Sequence, residues 1–292
     1  MTDALSFGER LDLVFATDGR LCVGIDPHAG LLDQWGQPDS AEGAREFGLR
    51  VVEAAVGRAG IVKPQVAFFE RHGAAGYIAL ERVLAEARDA GLLVIADAKR
   101  GDIGTSVEAY GEAWLRPGSP LEADALTISA FQGLGSIEQV MQRADAAGKG
   151  LFVLAATSNP EAAAIQRAVL QQSSRAGATV GQAICSGVSE WNRTRSDAAN
   201  RPLGSIGVVI GATVDLRAAG IDTESEPVRP LLPVLAPGFG HQGGEVSELR
   251  GVFGSLSAGV IVSESRSILS AGPDGIVDAI ARRVDEIGAI GV

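Results

Sequence analysis

Short runs rich in β-branched and other apolar residues recur along the chain, at Leu21–Ile25, Ile61–Val66, Leu92–Ala96, Ala125–Ile128, Gly150–Ala155, Ile206–Ile210, Pro233–Ala236 and Gly259–Val262. Their length and composition predict buried strands. Between them, Ser40–Arg58, Arg71–Ala90, Ile137–Ala147 and Pro273–Ile287 space apolar residues by three or four and end near glycine, as amphipathic helices do. Eight strands alternating with helices predict an α/β chain folded as a (β/α)8 or TIM barrel, with a doubly wound sheet as the alternative. No linker or internal repeat divides the chain, so residues 1–292 are expected to form one domain.

One region breaks the repeat. From Ala156 to Pro202 the chain runs through Thr157-Ser158-Asn159-Pro160, an Ala/Gln/Ser-rich stretch and a helical pattern around Thr179–Trp191. A lid-like insertion after the fifth strand is expected, with a mobile cover near Ser158–Gln172; a solvated extension without that role is the alternative.

Composition narrows the class. Hydrophobic residues make up 46% and charged residues 21%, which excludes wholesale disorder. A net charge of -11 argues against nucleic acid or an anionic membrane as partner, because both need a broad basic face. The stretch around Asp3, Glu9, Arg10 and Asp12 is too charged for a signal or transit peptide, and no apolar run reaches the roughly 20 residues of a membrane span. Cys22 and Cys185 show neither CxxC nor zinc-type spacing and read as reduced core residues. The expected location is cytoplasmic.

If the fold is a barrel, reactive groups belong at the C-terminal ends of strands. Several polar residues fall there: Asp26, Lys63-Pro64-Gln65, Thr157-Ser158-Asn159, the Gly238–Gly244 loop and Ser263-Glu264-Ser265-Arg266. The third strand ends in Asp97-Ala98-Lys99-Arg100-Gly101-Asp102, two carboxylates around one ammonium. Lysine is scarce, since Lys63, Lys99 and Lys149 are the only ones among 25 basic residues. Three charges beside a buried strand are costly unless they have a chemical role. The glycine loop after strand seven and Arg266 after strand eight suit a phosphate group. His28 and His72 lack partners at triad or metal spacing and read as structural, whereas His241 either lines the phosphate loop or is structural too.

The run Asp97-Ala98-Lys99-Arg100-Gly101-Asp102-Ile103-Gly104-Thr105 resembles the orotidine 5'-phosphate decarboxylase family, in particular its divergent (type 2) branch. So do Val-Ile-Gly-Ala-Thr at 209–213 and Ala-Pro-Gly-Phe-Gly-His-Gln-Gly-Gly at 236–244. The resemblance extends from Asp26 to Arg266. Its Asp-x-Lys-x-x-Asp pattern is shared with magnesium-dependent sugar-phosphate decarboxylases and aldolases, but those place an acidic metal ligand where this chain has Lys63.

The resemblance therefore implies a carboxy-lyase without metal or cofactor, forming UMP and CO2 in de novo pyrimidine biosynthesis. A metal-dependent sugar-phosphate enzyme and a non-catalytic phosphate-ligand barrel are the alternatives. It further implies that Asp26 and Lys63 bind ribose hydroxyls, and that Asp97, Lys99 and Asp102 surround the reacting carbon, with Lys99 protonating C6. Asp102 with Ile103 would reach into the site of a second subunit, making a homodimer, and Thr105 would support that loop. Ser158 or Asn159 would meet the pyrimidine edge, and Gln242 and Arg266 would hold the phosphate. Glu264 departs from the family pattern; a carboxylate beside a phosphate is unfavourable, so its side chain is expected to point away.

Overall fold

The computed structural model describes residues 5–195 and 198–291; Asp3 lies outside them. Eight parallel strands close in sequence order into a barrel: β1 (Leu21–Ile25), β2 (Ile61–Pro64), β3 (Leu93–Arg100), β4 (Ala125–Ile128), β5 (Gly150–Ala156), β6 (Ile206–Ile210), β7 (Val234–Pro237) and β8 (Val260–Glu264). Every apolar run read from the sequence forms one of these strands. The largest difference is β3, which continues past Ala96 through Asp97 and Lys99 to Arg100. Polar side chains there do not end the strand, because the barrel mouth receives them.

Alternation along each strand divides the core in two. Cys22, Ile61, Leu93, Ile95, Ala125, Phe152, Val209, Leu235 and Ile261 fill the barrel interior. Their neighbours Val23, Val62, Val94, Leu126, Val153 and Val262 face the surrounding helices. Gly207 makes room in the interior, since a Cβ there would stand 2.7 Å from the Phe152 ring.

The helices Ala41–Ala55, Gly73–Asp89, Glu138–Ala146, Val180–Arg193 and Gly272–Gly288 fall on the expected helical stretches. The segment expected from Arg71 starts two residues later, because a turn at Gly73, with φ +63°, separates it from the short helix Val66–Glu70. Besides several short helices of four to six residues, two longer ones were not anticipated. One, Gly104–Leu115, connects β3 to β4. The other, Phe7–Thr17, starts at a capping box formed by Ser6 and Glu9. It closes the N-terminal end of the barrel by inserting Phe7 and Leu11, both fully buried, with the Phe7 ring edge-on to Phe152 at 6.0 Å. Burying two such side chains stabilises by about 1.5–3 kcal/mol each. With that end plugged, the interior opens only at the C-terminal ends of the strands.

Pairing between β3 and β4 slips at one place. Ala96 pairs with Leu126 and Arg100 with Ile128, so residues 97–99 face Thr127 alone. Lys99 sits at this bulge with φ +48°, the only positive φ among the described non-glycine residues. Bulges of this kind re-aim side chains.

Candidate active site

A cavity of about 660 Å³ occupies the open mouth. Its floor follows from strand alternation. Ile61 points inward, so Lys63 does too; Ile95 is followed by Asp97, Ala125 by Thr127 and Ile261 by Ser263. Two residues above the apolar interior, the lining becomes polar.

Asp97 is the centre of this layer. Its Oδ2 accepts hydrogen bonds from Lys63 Nζ at 3.1 Å and Gln65 Nε2 at 3.0 Å. Its Oδ1 accepts from Lys99 Nζ at 2.6 Å and Thr127 Oγ1 at 2.9 Å. Asp97 is 8% exposed and Lys63 6%, whereas the Lys99 side chain is 47% exposed and reaches into the cavity. Burial pushes the Asp97 carboxyl upward, but the Lys63 and Lys99 ammoniums outweigh it and hold the group well below the usual carboxylate range. Burial pushes Lys63 downward, and Asp97 with Asp26 outweighs that, so its ammonium is held above the ordinary lysine value. Beneath them, burial raises the Cys22 thiol to about 12, so it is neutral.

The carboxylate is thus clamped between two ammoniums, a different arrangement from one lysine between two carboxylates of the same chain. Asp102 lies outside the cavity lining, its Oδ1 accepting from the Ile103 backbone N–H at 2.9 Å. Ile103 is 60% exposed, and Thr105 is exposed in the first turn of Gly104–Leu115. These three residues share an outward-facing stretch beside the mouth.

The other sequence-derived candidates line the cavity. Asp26 follows β1, and its buried Oδ1 has no hydrogen-bond partner among the described residues. Such an atom is costly unless a ligand completes it. Ser158 and Asn159 follow β5, and Ser158 Oγ approaches Gln242 Oε1 at 3.4 Å. Gln166 pins this segment, accepting from the Thr157 backbone N–H at 2.8 Å and donating to Thr157 Oγ1 at 3.0 Å. The loop after β7 turns tightly through Gly238, Gly240 and Gly243, all at positive φ. Arg266 begins the short helix Arg266–Leu269, is exposed, and has no ion-pair partner among the described residues.

Glu264 borders the cavity, but its carboxylate is fully buried and engaged by Arg283 and Ser267 behind the lining. Ser263 occupies the inward position of β8, opposite Cys22, and the next side chain must face outward. There Glu264 Oε1 lies 2.9 Å from Arg283 Nε, an ion contact and not an aligned hydrogen bond, while Oε2 accepts from Ser267 Oγ. Burial raises its pKa, with Ser267 and Arg283 opposing.

Of the histidines, His28 accepts from the Leu31 N–H as a helix cap at 3.4 Å and also lines the cavity. His241 lines it too, and His72 Nε2 stands 4.0 Å from Asp39. The sequence reading did not single out Thr127 or assign a role to Gln65. A lone threonine on the inward phase of an otherwise apolar strand was the available signal.

A model of the orotidine 5'-phosphate decarboxylase / HUMPS family matches residues 19–275. The chain belongs to this family. The orotidine 5'-phosphate decarboxylase of Salinispora tropica is 47% identical over 269 residues, covering 92% of this chain and 91% of the relative. A crystal structure from Streptomyces avermitilis, provisionally designated orotidine 5'-phosphate decarboxylase, superposes with a TM-score of 0.89 at 43% identity, over 98% of this chain and 96% of that one. The Leishmania donovani OMP decarboxylase is similar at a TM-score of 0.70 and 28% identity, covering 98% of both chains. The family's scope is wider than one activity, and these three relatives share the decarboxylase designation. Among the described residues of this family member, no group of three His, Cys, Asp or Glu side chains is placed to hold a metal ion. No described helix is long and apolar enough to cross a membrane.

Proposed function

We propose that the chain converts orotidine 5'-phosphate to UMP and CO2 as a cytoplasmic, cofactor-independent enzyme of de novo pyrimidine biosynthesis, acting as one domain over residues 1–292. The observation that carries this reading is the clamp at the cavity floor: Asp97, held ionised by Lys63, has Lys99 Nζ at 2.6 Å. A reaction that breaks a carbon–carboxylate bond without an electron sink needs a fixed positive charge and a proton at the carbon left behind. Lys99 supplies both. The bond from C6 to the carboxylate carbon breaks, its electron pair stays on C6 and CO2 leaves. The Lys99 ammonium faces the developing carbanion and transfers a proton to it, and solvent restores the lysine. Asp97 stands beside the departing carboxylate, so its repulsion is relieved as CO2 forms.

The remaining lining serves binding. Asp26 and Lys63, which both line the cavity, take ribose hydroxyls. Ser158 or Asn159 meets the pyrimidine edge, and Gln242 with Arg266 holds the phosphate. The grip on the phosphate and closure of the segment 158–172 exclude water from the reacting carbon, so remote binding energy raises the rate. Asp102 and Ile103 complete the site of a second subunit, supported by Thr105; the exposure of Ile103 and Thr105 and the position of Asp102 outside the cavity of its own chain favour this. A phosphorylated nucleotide does not cross membranes unaided, which fits a cytoplasmic location. Both Asp97 oxygens already accept from donors that include the Lys63 and Lys99 ammoniums, an arrangement hostile to a divalent cation.

The test is turnover of orotidine 5'-phosphate by the purified protein in EDTA, followed by chromatographic appearance of UMP. No UMP under those conditions overturns the proposal. Activity on a ketohexulose phosphate that requires magnesium would assign the site to sugar-phosphate chemistry, and tight UMP binding without turnover would assign it to a binding protein.

A further inference from the structure

We propose that Thr127 is a positioning residue for this chemistry: its hydroxyl ties the Lys99 backbone to the Asp97 carboxylate and thereby sets where the Lys99 ammonium stands. The inference rests on Lys99 being the proton donor. Thr127 lies on β4 opposite the register slip, where residues 97–99 of the neighbouring strand have it as their sole counterpart. Its Oγ1 accepts from the Lys99 backbone N–H at 3.0 Å and stands 2.9 Å from Asp97 Oδ1. An ionised carboxylate only accepts, so the single hydroxyl proton goes to Asp97 and the lone pairs are left for Lys99 N–H.

One side chain therefore closes a loop of three contacts with the third side supplied by Lys99 Nζ on the same Oδ1. This loop encloses the strained position of the strand, since Lys99 holds φ +48° without being glycine. A left-handed lysine relaxes toward ordinary strand geometry unless its N–H is held, and relaxation swings the side chain off its line into the cavity. Thr127 is 1% exposed, so its hydroxyl is committed to Lys99 and Asp97 and not to bulk water. Its branched Cβ also limits χ1, which keeps the oxygen aimed at the bulge.

The experiment compares Thr127→Val, Thr127→Ser and Thr127→Ala with the wild type for kcat, KM and the Kd of UMP. Val keeps the shape and removes the oxygen; Ser and Ala differ from each other only by that oxygen, which separates the hydroxyl from packing even if the Val variant folds poorly. The expected result is a kcat about 10- to 100-fold lower for Val and Ala, the effect of losing a hydrogen bond to a charged group. Ser should stay within about threefold of wild type in kcat, and UMP affinity should stay within about threefold throughout. Equal kcat values for Ser and Ala overturn the proposal, as does a loss in UMP affinity that matches the loss in kcat. If the wild type itself makes no UMP, the function reading fails first, and the comparison separates the two failures.

Discussion

Replacing Asp97 by asparagine should destabilise the protein far more than a neutral, isosteric change at a surface site. All four neighbours of the carboxylate, Lys63, Gln65, Lys99 and Thr127, donate to it. An asparagine amide must turn its NH2 toward two of these donors whichever way it is flipped. It also leaves the buried Lys63 ammonium without its nearest counter-charge. At 3.1 Å and an effective dielectric of about 20 that attraction is about 5 kcal/mol, and breaking buried pairs from one side costs about 3–5 kcal/mol. The Lys99 contact adds less, because that side chain is half exposed. The expected loss for Asp97→Asn is therefore about 3–5 kcal/mol, or a Tm about 6–20 °C lower at ~2–4 °C per kcal/mol. Urea unfolding at neutral pH, with an unchanged m-value, measures it. Adding Lys63→Met to Asp97→Asn should recover at least about 1 kcal/mol, because it removes the stranded charge. A single-variant loss under about 1 kcal/mol, or a double variant no more stable than Asp97→Asn, would refute the view of Asp97 as an electrostatic clamp.

Three further outcomes are expected. The folded Asp97 carboxyl lies below its ordinary value, so its stabilisation is present above about pH 4 and is lost as pH falls further; the folded Lys63 lies above its own, so its share is present below about pH 10 and is lost as pH rises beyond. The difference in unfolding free energy between wild type and Lys63→Met should thus be flat from about pH 5 to 10, and a slope across pH 6–9 would contradict the assignment. Arg266→Ala, which removes an exposed guanidinium without an ion-pair partner among the described residues from the cavity rim, should weaken UMP binding by about 10- to 100-fold in titration calorimetry; unchanged affinity would remove it from the phosphate site. Lys99→Ala and Asp102→Asn should each be inactive, yet equal mixing under verified subunit exchange should restore about a quarter of the sites, because half the dimers are mixed and each holds one intact site. Activity that stays at the level of the separate variants would show that Asp102 does not act across subunits.

Local patterning suffices to specify the barrel: each apolar run has the length and branching of a buried strand and coincides with one to within a residue or two, except at the end of β3. It also indicated which strand ends bring polar side chains to the cavity, since alternation and the C-terminal mouth are properties of the fold class. The plug helix Phe7–Thr17 was harder to read, because its role is to fill the barrel end and that role exists only once the barrel has closed. The partners of the central charges were tertiary decisions. Asp102 is five residues from Asp97 yet outside the cavity, whereas Lys63 and Thr127, 34 and 30 residues away from Asp97, touch its carboxylate. Chain separation does not measure distance across parallel strands. Register does, and the β3–β4 slip that turns Lys99 into the cavity arises from how two strands pair, which neither strand encodes alone.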